Sequence, residues 1–387
     1  MTPKASELAS EHPEGDRSAA GAEPASPPPA VAANSEQPGT ILSIQILRFI
    51  AALLVVVFHA HVALAGQFLG HKEDAIDHAF RVGASGVHIF FVISGFVMVY
   101  TTWRSNLTSG KFLSRRLIRI YPIYWIMGAI YLVAHILLGT AYHLSAGQIF
   151  EAALLLPVAS SYVIGPGWTL SFEMYFYICF AIALVAGLRK GLLILTAFYF
   201  LSTLAGLFIG TRPSFGYVLT DSLLLEFIAG AWLGYAFAHG LVFGRRLAGF
   251  FIVAGILLFA SGFWLPVERL PSVISWGIPS FLLVSGVLAF EPSLRTVWGR
   301  RVAKMGDSSY LLYLSHVLVI DLLIATPIRY WDSSLSAAVM LSLPIAVICT
   351  IAAAIGYEVL ELPLLKLLKR WVLPGRKQRS RSLPSTA

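Results

Sequence analysis

Ten apolar stretches, each near the length of a membrane-crossing helix, follow one another through residues 41–360. A helix needs about 20 apolar residues to cross the hydrocarbon core of a bilayer. Inside that core every backbone polar group must be satisfied by the chain itself, so spanning segments are helices or closed barrels. The pattern predicts an all-α fold: a polytopic membrane helical bundle of about ten transmembrane helices. The expected spans are 41–64, 84–103, 119–139, 168–187, 191–210, 217–239, 246–265, 270–290, 307–326 and 335–360. Charged residues make up only 12% of the chain. A soluble domain carries about one quarter, which excludes an ordinary soluble fold.

The remaining charges predict orientation. Lys and Arg concentrate in the cytoplasmic loops of membrane proteins. With the N-terminus in the cytoplasm, the inner segments receive Arg104 to Arg119, Arg189 and Lys190, Arg245 and Arg246, Arg295 to Lys304, and the basic C-terminal run. The outer loops then receive Lys72, Arg81, Arg212, Arg269 and Arg329. Both termini are therefore expected in the cytoplasm. Residues 1–40 are rich in Ala, Pro, Ser and Glu with no apolar run, and predict a disordered tail. Residues 41–365 make the transmembrane domain. Residues 366–387 read as a basic tail against an anionic membrane surface. The long connection 140–167 contains "SAGQIFEAALLLP", expected as a helix lying in the interface. Cys179 and Cys349 both fall in apolar spans with no metal-ligand spacing, so no metal site is predicted.

Ionisable side chains inside spans are costly and point to function. The first span, "LRFIAALLVVVFHA", carries Arg48 and His59. Eleven helical steps return the direction to within about 20° and rise about 16 Å. Arg48 and His59 therefore share a face, with small Ala52 and Val55 between them, while His61 points away. In "FLSRRLIRIYPIYW", Arg116 and Arg119 share a face where the third span leaves the cytoplasm, at the depth of Arg48. Such residues also serve topology alone. Together, three arginines at one level suit an anionic cytosolic ligand.

In "GPGWTLSFEMYFY", Glu173 enters the outer part of the fourth span, with Tyr177 one turn deeper. At a similar depth, His59 is its expected partner, the carboxylate orienting the ring for proton transfer; the plain alternative is a Glu satisfied by Trp and Tyr donors. In "GVHIFFVISGFVMVY", Gly86, Ser94 and Gly95 are expected to allow close helix packing, and His88 to be ordinary. His316 lies mid-span in "SSYLLYLSHVLV", where a hydrogen-bonded core histidine is the plain reading. Asp221, Glu226 and Asp321 also fall in spans without an evident partner.

These segments, taken in order, resemble the acyltransferase-3 family of bacterial membrane proteins, and within it the exopolysaccharide acetyltransferases of the succinoglycan type. "LRFIAALLVVVFH", "FFVISGF", "RRLIRIYPIYW", "GPGWTLSFEMYFY" and "SYLLYLSH" carry the resemblance, which covers about residues 41–360. One departure is Gln45 in "SIQILR", where many members have an acidic residue, so any role of that carboxylate is expected to be absent. The resemblance implies a multi-pass O-acyltransferase of the bacterial inner membrane. It implies transfer of an acetyl or other acyl group from cytosolic acyl-coenzyme A, a co-substrate and not a resident cofactor, to a sugar hydroxyl. The acceptor would be an exopolysaccharide or its lipid-linked oligosaccharide precursor. By the same resemblance His59 is the catalytic histidine, with Glu173 a supporting carboxylate. Arg48, Arg116 and Arg119 serve acyl-donor binding, Trp168, Tyr177 and Ser94 shape the site, and His316 occupies a recurrent position.

Two other readings stay open from the sequence. Intramembrane His, Glu and Arg also fit a proton-coupled carrier exporting a glycan or small anion. The third is a non-catalytic subunit whose partner is the polysaccharide assembly machinery. The lipid bilayer is a partner in every case, and nucleic acid in none.

Overall fold

The computed structural model describes residues 40–69, 80–140, 144–157, 161–209, 214–262, 270–325 and 334–372. The expected N-terminal tail, and the C-terminal tail beyond residue 372, lie outside the described residues. Among the described residues the regular structure is entirely helical. The elements in chain order are α1 (Leu42–Leu69), α2 (Ser85–Ser105), α3 (Ser109–Leu137), α4 (Ala146–Ala153), α5 (Gly167–Ala183), α6 (Leu188–Ile209) and α7 (Ser214–Thr220). They continue with α8 (Leu223–Ala238), α9 (Arg245–Ser261), α10 (Ile278–Leu288), α11 (Val297–Met305), α12 (Ser309–Ile324), α13 (Leu335–Gly356) and α14 (Leu362–Val372). Single π-helical turns, Val273–Gly277 and Tyr357–Glu361, precede α10 and α14.

Helix occupies each of the ten expected stretches. Among the described residues, seven are long and apolar enough to cross a membrane, against the ten expected: Leu42–Phe68, Val82–Ser105, Ser109–Leu137, Gly167–Ala186, Leu188–Phe208, Val297–Ile324 and Leu335–Arg370. Leu223–Ala238 and Val273–Leu288 are apolar but shorter. Arg245–Ser261 has 17 residues.

Local chemistry sets the helix limits. α2 stops at Asn106, which adopts the left-handed conformation (φ 44°) that asparagine tolerates at a C-terminal cap. α3 carries Pro122 inside it, which cannot donate a backbone hydrogen bond. The expected helix in 140–167 is present as α4, opened by a capping box between Ser145 and Gln148. Its far end exposes carbonyls that a helix cannot satisfy internally. Tyr124, Trp125 and Tyr121 of α3 donate to the carbonyls of Ala152, Ala153 and Leu154 at 2.9, 2.8 and 2.7 Å.

Apolar burial does not drive helices together in lipid, so close packing of small residues matters more. α2 and α8 cross on glycines. A Cβ at Gly95 would lie 2.0 Å from the Phe227 carbonyl oxygen, and one at Gly230 would lie 1.9 Å from that of Val92. Beside this crossing, stacked rings of Phe91, Phe227, Phe176 and Tyr199 have successive centroids 4.6, 4.6 and 5.7 Å apart. α1 packs on α2, α11, α12 and α13, so it sits inside the bundle with its polar residues turned towards several neighbours.

Candidate active site

A cavity of about 140 Å³ lies between α1, α2, α3, α5 and α12. Arg48, Arg116 and Arg119 all line it, together with Ser94, Glu173 and Tyr177. The three arginines expected at one level thus meet in one place. Aromatic and aliphatic groups, including Phe90, Phe91, Tyr310 and Tyr313, make up most of the remaining wall.

The guanidinium groups are held in different ways. Arg119 lies 3.3 Å from the carboxylate of Glu361, a fully buried residue of the π-turn before α14. Its guanidinium also sits 5.8 Å from the centre of the Tyr310 ring. Arg116 donates to Thr101 Oγ1 at 3.2 Å and lies 5.4 Å from the ring centres of both Phe112 and Tyr177. Arg48 donates to Gln45 Oε1 at 3.1 Å. Among the described residues, Arg48 and Arg116 make no salt bridge, and they share the cavity wall with the Glu173 carboxylate. Planar, permanently charged guanidiniums in an apolar surround are suited to phosphate and carboxylate ligands.

Gln45 reaches a carboxylate on another element. Its amide Nε2 donates to Asp307 Oδ1 at 2.5 Å while its Oε1 accepts from Arg48. A carboxylate therefore does serve this corner, reached from α1 through Gln45 rather than carried on α1.

Glu173 corrects an expectation. Its Oε1 accepts from Ser94 Oγ at 2.7 Å and from the Tyr177 hydroxyl one turn away. It belongs to the arginine cavity and does not pair with His59. Ser94, expected to serve packing, is a hydrogen-bond donor here, whereas Gly86 and Gly95 do pack closely. Trp168 packs edge-on against Phe172 and does not line the cavity; Thr169 takes that place.

His59 is half-buried and lies outside the cavity lining. Its Nδ1 is 2.9 Å from the Val55 carbonyl, and its ring meets the His316 ring edge to face, with centroids 4.9 Å apart. Tyr313 connects the two regions. It lines the cavity, bonds through its hydroxyl to Thr169 Oγ1 at 2.8 Å, and lies 5.9 Å from the His316 ring. Ala52 and Val55, between Arg48 and His59 on α1, are both buried in core clusters.

Sequence reasoning missed Tyr310, Tyr313, Thr169, Asp307 and Glu361. Tyr310, Tyr313 and His316 recur at a spacing of three in "SYLLYLSH", the signal that could have grouped them. It also missed two ionisable pairs outside the cavity. His88 Nδ1 lies 2.8 Å from Glu226, and His135 Nε2 lies 3.3 Å from Asp321. The Asp221 carboxylate accepts from the Leu223 amide at the start of α8.

Comparison with known proteins fits this site. A family model described as an acyltransferase domain matches residues 41–358. The chain is 30% identical over 318 residues to the exopolysaccharide production protein ExoZ of Rhizobium meliloti (strain 1021), covering 77% of this chain and 94% of that one. It is 26% identical over 373 residues to the acyltransferase MdmB of Streptomyces mycarofaciens, covering 84% of this chain and 91% of the other. No solved structure matches it significantly. With its match running through the arginine cavity and the His59–His316 contact, the chain belongs to the acyltransferase-3 family of multi-pass membrane acyltransferases.

Proposed function

We propose that this protein is an O-acetyltransferase, using cytosolic acetyl-coenzyme A to acylate a hydroxyl of an exopolysaccharide or its lipid-linked precursor in the bacterial inner membrane. The observation that carries the reading is the convergence of Arg48, Arg116 and Arg119 on one cavity. Coenzyme A offers phosphates for such a cluster and a long neutral arm ending in the thioester. The name of ExoZ supports the choice of acceptor class. In this reading the ten helical stretches are ten crossings with both termini cytoplasmic. The arginine cavity then faces the donor side, and His59 lies towards the acceptor side.

The chemistry assigned to His59 follows from its hydrogen bond. A carbonyl only accepts, so the neutral ring donates from Nδ1 to Val55, leaving the Nε2 lone pair as a base. The acceptor hydroxyl loses its proton to His59 Nε2 as its oxygen attacks the thioester carbonyl carbon. The carbon–sulfur bond breaks, and the proton passes from His59 to the departing thiolate. Glu173, held by Ser94 and Tyr177, supports the cavity wall between the arginines and Tyr313. The carrier reading draws on the buried His–carboxylate pairs, but the two relatives carry names of acyl transfer and exopolysaccharide production, not of transport.

The test compares polysaccharide from a deletion strain, a wild-type complement and a His59→Ala complement. Proton NMR is expected to show an O-acetyl signal only with wild type. Equal O-acetyl content in all three would overturn the reading. Uptake of labelled glycan by proteoliposomes lacking coenzyme A would favour the carrier.

A further inference from the structure

The seam between α3 and α12 carries polar contacts at two heights. At one, the Tyr310 hydroxyl donates to the Ile120 carbonyl at 2.9 Å, and both residues line the arginine cavity. At the other, the Tyr131 hydroxyl donates to Asp321 Oδ2 at 3.3 Å. Tyr131 and Asp321 each stand eleven residues beyond the first pair, so the two helices run in the same direction along the seam. Eleven helical steps rise about 16 Å and return to within about 20° of the same face. The second contact is therefore at the far end of the seam from the cavity, and buried Met127, Leu314 and Leu318 fall between the two heights. In the orientation of the proposed function, this far end is the acceptor side.

Asp321 is costly where it stands. It belongs to the last turn of α12, where its backbone carbonyl accepts from the Ala325 amide. A helix dipole disfavours an anion at the C-terminal end, and an ionisable group in a spanning helix is costly as well. Groups at the end of α3 arrange the carboxylate. His135 Nε2 lies 3.3 Å from the same Oδ2, and His135 Nδ1 lies 2.8 Å from Thr140 Oγ1. The Tyr131 ring packs on the His135 ring with centroids 4.2 Å apart. Tyr131 and His135 are buried, whereas the Asp321 side chain is 32% exposed. Both contacts go to Oδ2, and Asp321 Oδ1 has no hydrogen bond among the described residues. A contact that only fastened α12 to α3 has no use for an exposed second oxygen.

We propose that Asp321, held by Tyr131 and His135, is an acceptor subsite that binds hydroxyls of a neutral sugar unit next to the one acylated. The inference rests on the acyl-transfer reading for the identity of its ligand. An ionised carboxylate only accepts, so it suits hydroxyl donors, and such charge-assisted bonds are about twice as strong as neutral ones. A sugar unit carrying a carboxylate or phosphate at this place would be repelled. The His59 ring meets His316, five residues before Asp321. Five helical steps are about 7.5 Å along α12. The unit at Asp321 is therefore a neighbour of the reacting unit, and the subsite sets which stretch of the polymer is presented to His59.

The experiment uses the full chain purified in detergent, with polysaccharide from the deletion strain as acceptor. It reads binding of that polysaccharide without donor, and KM for polysaccharide and for acetyl-coenzyme A in the transfer assay. Asp321→Ala is expected to weaken polysaccharide binding and raise its KM by about tenfold or more, while KM for acetyl-coenzyme A changes less than about twofold. Asp321→Asn keeps the size and one acceptor oxygen and is expected to fall between. It carries the test should Asp321→Ala fail to fold. Polysaccharide binding within about twofold of wild type in the variants would overturn the subsite. So would equal losses for polysaccharide and acetyl-coenzyme A with a lowered unfolding temperature, which would mark a fastening of α12 to α3. Polysaccharide binding that depends on Asp321, without transfer by wild type, would overturn the acyl-transfer reading and leave the subsite standing.

Discussion

Arg119 lies 3.3 Å from the carboxylate of Glu361, which is fully buried although it closes the π-turn before the last helix. One of the three cavity arginines is therefore paired directly, and its two companions make no salt bridge among the described residues. Removing one partner of a buried ion pair leaves a charge that the fold must carry alone, at about 3–5 kcal/mol. Arg119→Ala is expected to lower thermal stability in detergent sharply. Glu361→Ala is expected to lower it less, because the Arg119 side chain it leaves behind is one-third exposed. Unfolding temperatures near wild type for both variants would show that this pair does not hold the α3 end of the cavity.

Arg116 offers the cleaner test of donor binding. It has no ion pair among the described residues, and its partners are Thr101 and two rings. A hydrogen bond to a charged group contributes about 1.5–3 kcal/mol, so Arg116→Ala is expected to weaken acetyl-coenzyme A binding by about tenfold to a hundredfold. Stability should change little. Arg116→Lys should recover only part, because an ammonium does not offer the planar fork. Calorimetric titration of the purified protein measures both, and unchanged affinity in Arg116→Ala would remove Arg116 from the donor site.

Gln45 links Arg48 to Asp307 by hydrogen bonds of 3.1 and 2.5 Å. Asp307→Ala is expected to weaken donor binding less than Arg48→Ala does. Groups in one hydrogen-bonded network are coupled and their effects do not add. The double variant should therefore bind the donor no worse than Arg48→Ala alone. Fully additive losses would show that Asp307 acts independently of Arg48.

The crossing of α2 and α8 leaves no room for side chains at its centre. A Cβ at Gly95 or Gly230 would run into backbone carbonyl oxygens, which cannot rotate aside. Overpacking of this sort costs about 1–3 kcal/mol and sometimes more. Gly95→Ala and Gly230→Ala should each lower the unfolding temperature. Gly95→Ala should also lower transfer activity, because Ser94, next to it, holds Glu173. Wild-type stability in both variants would contradict the close crossing.

Much of this arrangement was legible before folding was considered. Apolar runs placed the helices, since lipid leaves a spanning backbone few alternatives. Helical periodicity and positive-inside charge brought Arg48, Arg116 and Arg119 to one level, and the cavity joins them. Depth alone misled at Glu173. Two residues at similar depth can face different neighbours, and Tyr177 and Ser94 are the groups that satisfy this carboxylate. The pairs His88–Glu226 and Gln45–Asp307 were hidden because their members lie 138 and 262 residues apart, and no local pattern encodes which helices meet. His316 looked like an ordinary core histidine, and only the packing of α12 on α1 brings it to His59.

The central claim is that His59 is the base for acyl transfer while the arginines hold the donor. The direct measurement is paired: transfer of labelled acetyl from acetyl-coenzyme A to polysaccharide, and donor affinity, for purified wild type and His59→Ala. The account predicts that His59→Ala loses transfer by about a hundredfold or more, as removal of a general base does, with donor affinity close to wild type. Transfer by His59→Ala at the wild-type rate would contradict it.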